Sequence, residues 1–168
     1  MGVAGSGKST VARLVAQKHG SRFLEGDDFH PASNVAKMAA GQPLTDDDRW
    51  PWLAAICQAM RAEQDVVVTC SALKRRYRDA LRGAEYVCFV YLVISPETAL
   101  RRVAARRGHF MGRSMVASQF EALEVPGPDE TDVAAIDAER DVSSVANHVD
   151  RALETLRPLS RPPDLMSP

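Results

Sequence analysis

The chain opens on MGVAGSGKST, in which Gly2, Gly7, Lys8 and Ser9 satisfy the pattern G-x-x-x-x-G-K-[ST]. Glycines at these positions let the backbone curl so that several N–H groups face inward as a nest for phosphate oxygens at the start of a helix. Lys8 is then placed to reach the β- and γ-phosphates of a nucleotide, and the Ser9 hydroxyl to ligate Mg²⁺. A chance glycine-rich turn has no need of a helix behind it. Here TVARLVAQKHG follows, with Val11, Leu14 and Val15 apolar and Gly20 as the stop, so the spacing predicts a helix over 9–19. The same context demands a strand ahead of the loop, and only Met1 stands there. The expectation is a native polypeptide that begins several residues upstream with an apolar segment ending at Met1. A sheet lacking that segment would carry a slot at its middle, flanked by N–H and C=O groups that are costly to bury unpaired.

The rest of the chain alternates in character. Strand-like apolar runs fall at 22–24, 66–70, 87–95 and 133–137, and helical patterns at 46–61, 75–82, 96–107, 115–123 and 143–156. Alternation of this kind implies crossover units and a parallel sheet covered on both faces. The run VCFVYLVIS is too continuously apolar for a half-exposed strand and fits burial on both sides. The predicted fold is a three-layer α/β domain over 1–156, with the Pro-rich 157–168 as an unpacked tail. A chain of 168 residues suits one such domain. The formal net charge of −1 implies no field for a polyanion, which argues against nucleic acid as a partner. No stretch reaches the length of a membrane span, and no basic-then-apolar leader opens the chain. Cys57, Cys70 and Cys88 sit in apolar surroundings without paired spacing, which reads as buried thiols in a reducing cytoplasm rather than a disulfide or zinc framework.

Four clusters carry candidate chemistry. In EGDDFHP, Glu25, Asp27 and Asp28 follow a short strand, at the end where open α/β sheets bind ligands. A phosphoryl acceptor needs a positioned carboxylate to take its proton, and Mg²⁺ needs oxygen ligands directly or through water. Asp27 is the first choice for the base and Asp28 the alternative. Glu25 or Asp27 would also hold the metal through water, and His30 would hydrogen-bond a polyol. In PLTDDDRWPWL, Thr45 with Asp46, Asp47 and Asp48 reads as a helix cap with acids in the first turn. Arg49 has two readings: bidentate capture of a substrate carboxylate, or an internal salt bridge to those aspartates. In TCSALKRRYRDALR, Ser71 ends a strand, and Lys74 and Arg78, four apart, share a helix face suited to an anionic substrate. Finally, Arg101, Arg102, Arg106 and Arg107 lead to Gly108 and Gly112, the hinges expected of a closing flap that neutralises the transferring phosphoryl group. Arg101 is the arginine expected to be solvated.

The stretches GVAGSGKST, EGDDFHPASNVAKMAAGQPLTDDDRWPWL, CSALKRRYRDALR and SQFEALEVP together resemble the short, P-loop gluconokinases, from Met1 to about Leu156. The resemblance implies a five-stranded parallel sheet of the nucleoside-monophosphate-kinase type, ATP and Mg²⁺ as cofactors, D-gluconate phosphorylated at its 6-hydroxyl, a lid around 106–114 and a homodimer. It carries nucleotide binding onto Gly5, Ser6, Gly7, Lys8, Ser9 and Thr10. It carries the sugar-acid pocket onto Asp27, His30, Arg49, Ser71, Lys74, Arg78 and Gln119, and a lid role in catalysis onto Arg106. By analogy with related kinases Arg102 would stack on adenine. A kinase for another small acid and a nucleotide-binding module without catalysis are the rival readings.

Overall fold

The structure is a computed structural model that describes residues 1–105 and 113–158. The lid expected around 106–114, with Arg106, Arg107, Gly108 and Gly112, therefore lies almost wholly outside the described residues, as does the tail beyond 158.

The described strands form two parallel pairs. β1 (Arg22–Glu25) lies beside β2 (Val66–Thr69) with Arg22 opposite Val66, and β3 (Phe89–Val93) lies beside β4 (Val133–Asp137) with Phe89 opposite Val133. Between the pairs run residues 1 and 2. The Met1 nitrogen donates to the Val90 carbonyl, Leu92 N–H donates back to the Met1 carbonyl at 3.0 Å, and Gly2 N–H donates to Ser71 O at 3.1 Å. These are the bonds of a parallel ladder, so the phosphate loop hangs from both β2 and β3. Toward the amino ends of the strands the ladder stops. There a cavity of about 590 Å³ is lined by Val66, Val68, Phe89, Val90, Val11 and Ile56.

Successive strand residues pack to opposite sides. Val67 and Val90 join a core with Val11, Val15, Leu92, Val145 and Val149, whereas Val68 and Phe89 join another with Trp52, Leu53, Ile56 and Leu81. That two-sided burial explains the continuous apolar runs. The first core is closed by α1 (Lys8–His19), α5 (Pro96–Ala104), α6 (Arg113–Glu121) and α7 (Val142–Thr155), and the second by α3 (Asp46–Arg61) and α4 (Arg75–Arg82). Cys57 and Cys70 are buried in the second core, while Cys88 is half-buried rather than enclosed; all three are free thiols. α2 (Ala32–Ala39), which the hydrophobic pattern does not announce, buries only Asn34.

Helix ends follow local chemistry. Thr45 Oγ1 accepts from Asp48 N–H at 3.3 Å while Asp48 Oδ2 accepts from Thr45 N–H at 2.8 Å, a capping box of the kind that contributes about 1 kcal/mol. α4 begins at Arg75, and Lys74 is its extended N-cap residue rather than part of the helix face. Among the described residues no helix is long and apolar enough to cross a membrane.

Candidate active site

A second cavity, of about 950 Å³, opens at the carboxyl ends of β1 and β2. Its floor is the phosphate loop. Gly7 takes φ 89°, the left-handed turn that a residue with a Cβ resists, and so aims the chain into α1. No acidic residue occupies the first turn of α1, so the positive end of the helix is uncompensated from within and faces the cavity lined by Gly5, Gly7, Lys8 and Ser9. Lys8 Nζ donates to Val3 O at 3.0 Å, folding the side chain along the loop. Ser6 is turned inward: its N–H donates to Val3 O at 3.2 Å, and its hydroxyl is buried without a partner among the described residues. Thr10 is exposed and lies outside the lining.

The acidic wall depends on a close approach. A Cβ on Gly26 would stand 1.8 Å from the Thr69 carbonyl, so only glycine lets the chain cross the end of β2. Gly26 is then pinned from both sides, its N–H donating to Thr69 Oγ1 at 3.1 Å and its carbonyl accepting from Trp52 Nε1 at 2.7 Å. The Thr69 hydroxyl in turn donates to Glu25. The 3-10 turn Gly26–Phe29 brings Asp27 into the cavity, while Asp28 is exposed and outside the lining. Of the two candidate bases the structure sets only Asp27 in the same cavity as Lys8.

His30 also lines the cavity, its ring stacked on Trp52 with centroids 4.2 Å apart. Asn34, itself buried, lies with Nδ2 3.3 Å from His30 Nδ1 and donates to Asp48 O at 2.7 Å. Partial burial, with a smaller contribution from Arg49, lowers the imidazole pKa against the opposing pull of Asp27. A neutral ring whose Nδ1 accepts from Asn34 carries its proton on Nε2, as a hydrogen-bond donor.

The basic wall is more heavily paired than the sequence suggests. Arg49 lines the cavity, and among the described residues it forms no ion pair with the neighbouring aspartates. It donates to Leu44 O and to Thr45 O at 3.1 Å, and its guanidinium carbon lies 5.7 Å from the Tyr77 ring centre. Lys74 Nζ sits 3.0 Å from Asp46 Oδ1, and Asp46 also receives Arg76 and the Tyr77 hydroxyl. Those bonds, Tyr77 foremost, hold the Asp46 carboxyl below its ordinary pKa, and burial followed by Asp46 pushes the Tyr77 phenol up to about 12. Asp46 is thus more than a first-turn acid; its partners lie about thirty positions away, and no local pattern names them. Ser71 and Gln119 line the cavity as expected.

Arg78 is a correction. It is 1% exposed, absent from the lining, and holds Glu130 through two bonds of 2.7 and 2.6 Å. Its remaining nitrogen donates to Ala72 O and Leu73 O at 3.3 Å and to Glu124 O at 3.1 Å. Glu130 is held down to about 2, chiefly by Arg78, and a neighbouring pair, Arg82 with the fully buried Asp132, completes the network. Arg78 therefore shapes the loop that carries Ser71 and Lys74 and does not face the cavity. Arg102 donates to Ala138 O at 2.9 Å and to Gly5 O of the phosphate loop at 3.5 Å, and Arg101 is exposed as expected.

Comparison with known proteins points the same way. A family described as "AAA domain" matches residues 1–126. The thermoresistant gluconokinase of Escherichia coli K12 is 47% identical over 150 residues, covering 86% of each chain. The thermosensitive gluconokinase of the same organism is 42% identical over 162 residues, covering 94% of this chain and 87% of its own. A crystal structure of a gluconokinase from Sinorhizobium meliloti 1021 superposes with a TM-score of 0.85 at 44% identity, over 92% of this chain and 89% of that one. With identity of this order sustained across most of its length and the same P-loop kinase fold, the chain belongs to the gluconokinase family.

Proposed function

We infer that the protein transfers the γ-phosphoryl group of ATP to the 6-hydroxyl of D-gluconate, giving 6-phospho-D-gluconate and ADP. The observation that carries this reading is that one cavity is lined by Lys8 at the positive end of α1, by Asp27, and by Arg49 and Lys74. In this reading the loop from Gly5 to Ser9 seats the phosphates, and Lys8 swings from Val3 O to the γ-phosphate. Asp27 orients the acceptor hydroxyl and takes its proton. His30 donates from Nε2 to a substrate hydroxyl, and Lys74 or Arg49 meets the carboxylate at the far end. Phosphoryl transfer asks little covalent chemistry of the protein, so positioning and charge neutralisation supply most of the rate.

Mg²⁺ fits the residues present. The ion takes one or two protein oxygens and fills its shell with phosphate and water, and Ser9, Glu25 and Asp27 line the cavity together. When bound it neutralises charge on the β- and γ-oxygens. A homodimer at work in the cytoplasm belongs to the same reading and is supported by the family resemblance.

ADP release measured over a panel of sugar acids with shikimate included tests the substrate. Gluconate should give the highest kcat/KM, and a panel in which shikimate leads would overturn the assignment. Lys8→Ala should lower kcat by about 10²- to 10³-fold, the size of effect seen when one donor aimed at developing charge is removed, with circular dichroism unchanged. An unaltered kcat would remove Lys8 from the reaction.

A further inference from the structure

The contact that the proposed reaction leaves unexplained joins α6 to the phosphate loop. Ala4 N–H donates to Gln119 Oε1 at 2.6 Å across 115 residues of sequence. A backbone N–H can only donate, so the bond itself fixes which end of the amide faces the loop, and the oxygen is that end. The donor end, Nε2, is what Gln119 has left for the cavity that it lines with Lys8, Asp27 and Ser71. The helix beneath it is firmly seated. Val116, three residues earlier, is 1% exposed and packs in the core that contains Val3 and Val103. Beyond the helix, Glu124 N–H donates to Leu73 O at 2.9 Å, and the Glu124 carboxylate accepts from Arg75 N–H at 2.6 Å. The stretch 119–124, the end of α6 and the residues just past it, thus runs from the phosphate loop to the loop that carries Ser71 and Lys74, with Gln119 at the phosphate-loop end.

We propose that Gln119 is a catalytic residue of the transfer: Oε1 is held by Ala4 N–H so that Nε2 donates to a non-bridging oxygen of the phosphoryl group in flight. The proposal rests on the phosphotransfer reading above. In that step the acceptor oxygen forms its bond to the γ-phosphorus, the β–γ bridging P–O bond breaks, and its electron pair leaves on ADP. The hydroxyl proton passes to the Asp27 carboxylate, and Gln119 is unchanged throughout. A fixed donor aimed at charge that develops only during transfer raises kcat without tightening the ground state.

Two variants separate this role from simple bracing of the loop. Gln119→Glu keeps an oxygen for Ala4 N–H and loses the donor, whereas Gln119→Met loses both. Each is assayed for kcat with saturating ATP and gluconate, for ADP affinity by calorimetry and for melting temperature. The expected result is a fall in kcat on the order of 10²-fold in both variants, with the ADP affinity of the uncharged Gln119→Met within about threefold of wild type and the melting temperature unmoved. Wild-type turnover in Gln119→Glu would overturn the proposal, because bracing alone would then suffice, and so would a loss of turnover in Gln119→Met matched by its loss of ADP binding. A wild-type protein that transfers phosphate to no sugar acid would instead remove the reading on which the proposal stands.

Discussion

Asp27→Asn should lower kcat by about 10²- to 10⁴-fold while leaving the melting temperature and the KM for gluconate close to wild type. The amide keeps the size and one acceptor oxygen of the carboxylate but cannot take a proton at neutral pH, so binding survives and proton transfer does not. The fold should tolerate the change because Asp27 is exposed in the cavity and the turn is held by Gly26 and its bonds to Thr69 and Trp52, not by the Asp27 side chain. Steady-state kinetics with coupled ADP detection checks it. A variant with turnover within a factor of about three of wild type would exclude Asp27 as the base, because general-base contributions are seldom so small. The parallel Asp28→Asn change should do little, since Asp28 lies outside the cavity lining.

Arg78→Met should lower the free energy of unfolding by about 3–5 kcal/mol, a large part of the roughly 5–15 kcal/mol that holds an ordinary domain together. Removing the guanidinium leaves Glu130, 3% exposed, as a buried charge short of its main partner, and frees the carbonyls of Ala72, Leu73 and Glu124. Ala72 sits at φ 43°, a left-handed conformation that a residue with a Cβ adopts only when its surroundings hold it there. Urea unfolding followed by circular dichroism reads the loss. Pairing the change with Glu130→Leu should recover much of it, since replacing both members of a buried pair by apolar groups is far milder than orphaning one. A single variant as stable as wild type would show that the pair is not desolvated as its burial implies. A surviving Arg78→Met protein should also bind gluconate more weakly, because the strand-end loop that presents Ser71 and Lys74 has lost its brace.

How far the sequence carries depends on the distance between the residues that explain one another. The phosphate loop and α1 are legible because glycines, lysine, hydroxyl and helix signal fall within twenty positions, and the helix begins one residue earlier than the periodicity places it. The cap at Thr45 reads correctly for the same reason. Asp27 and Asp28 are named together by their place after a strand, and the structure adds what spacing could not, that only Asp27 lines the cavity. Arg78 misleads because the four-residue spacing from Lys74 presumes both on one helix, whereas Lys74 is the extended residue ahead of α4 and the partner of Arg78 lies 52 positions on. Asp46 fails likewise: its helix-cap account is sufficient locally, so nothing prompts a search for Lys74, Arg76 and Tyr77. α2 escapes notice because the face it buries belongs to an asparagine and not to an apolar stripe.

The ladder through Met1 and Gly2 has a mechanical consequence. Among the described residues β2 and β3 make no ladder with each other, and the two strand pairs are joined at their carboxyl ends through residues that lead directly into the nucleotide cradle. Met1 and Gly2 thus tie the cradle to both strand pairs at once, so a displacement of either pair is transmitted to the backbone that seats the phosphates.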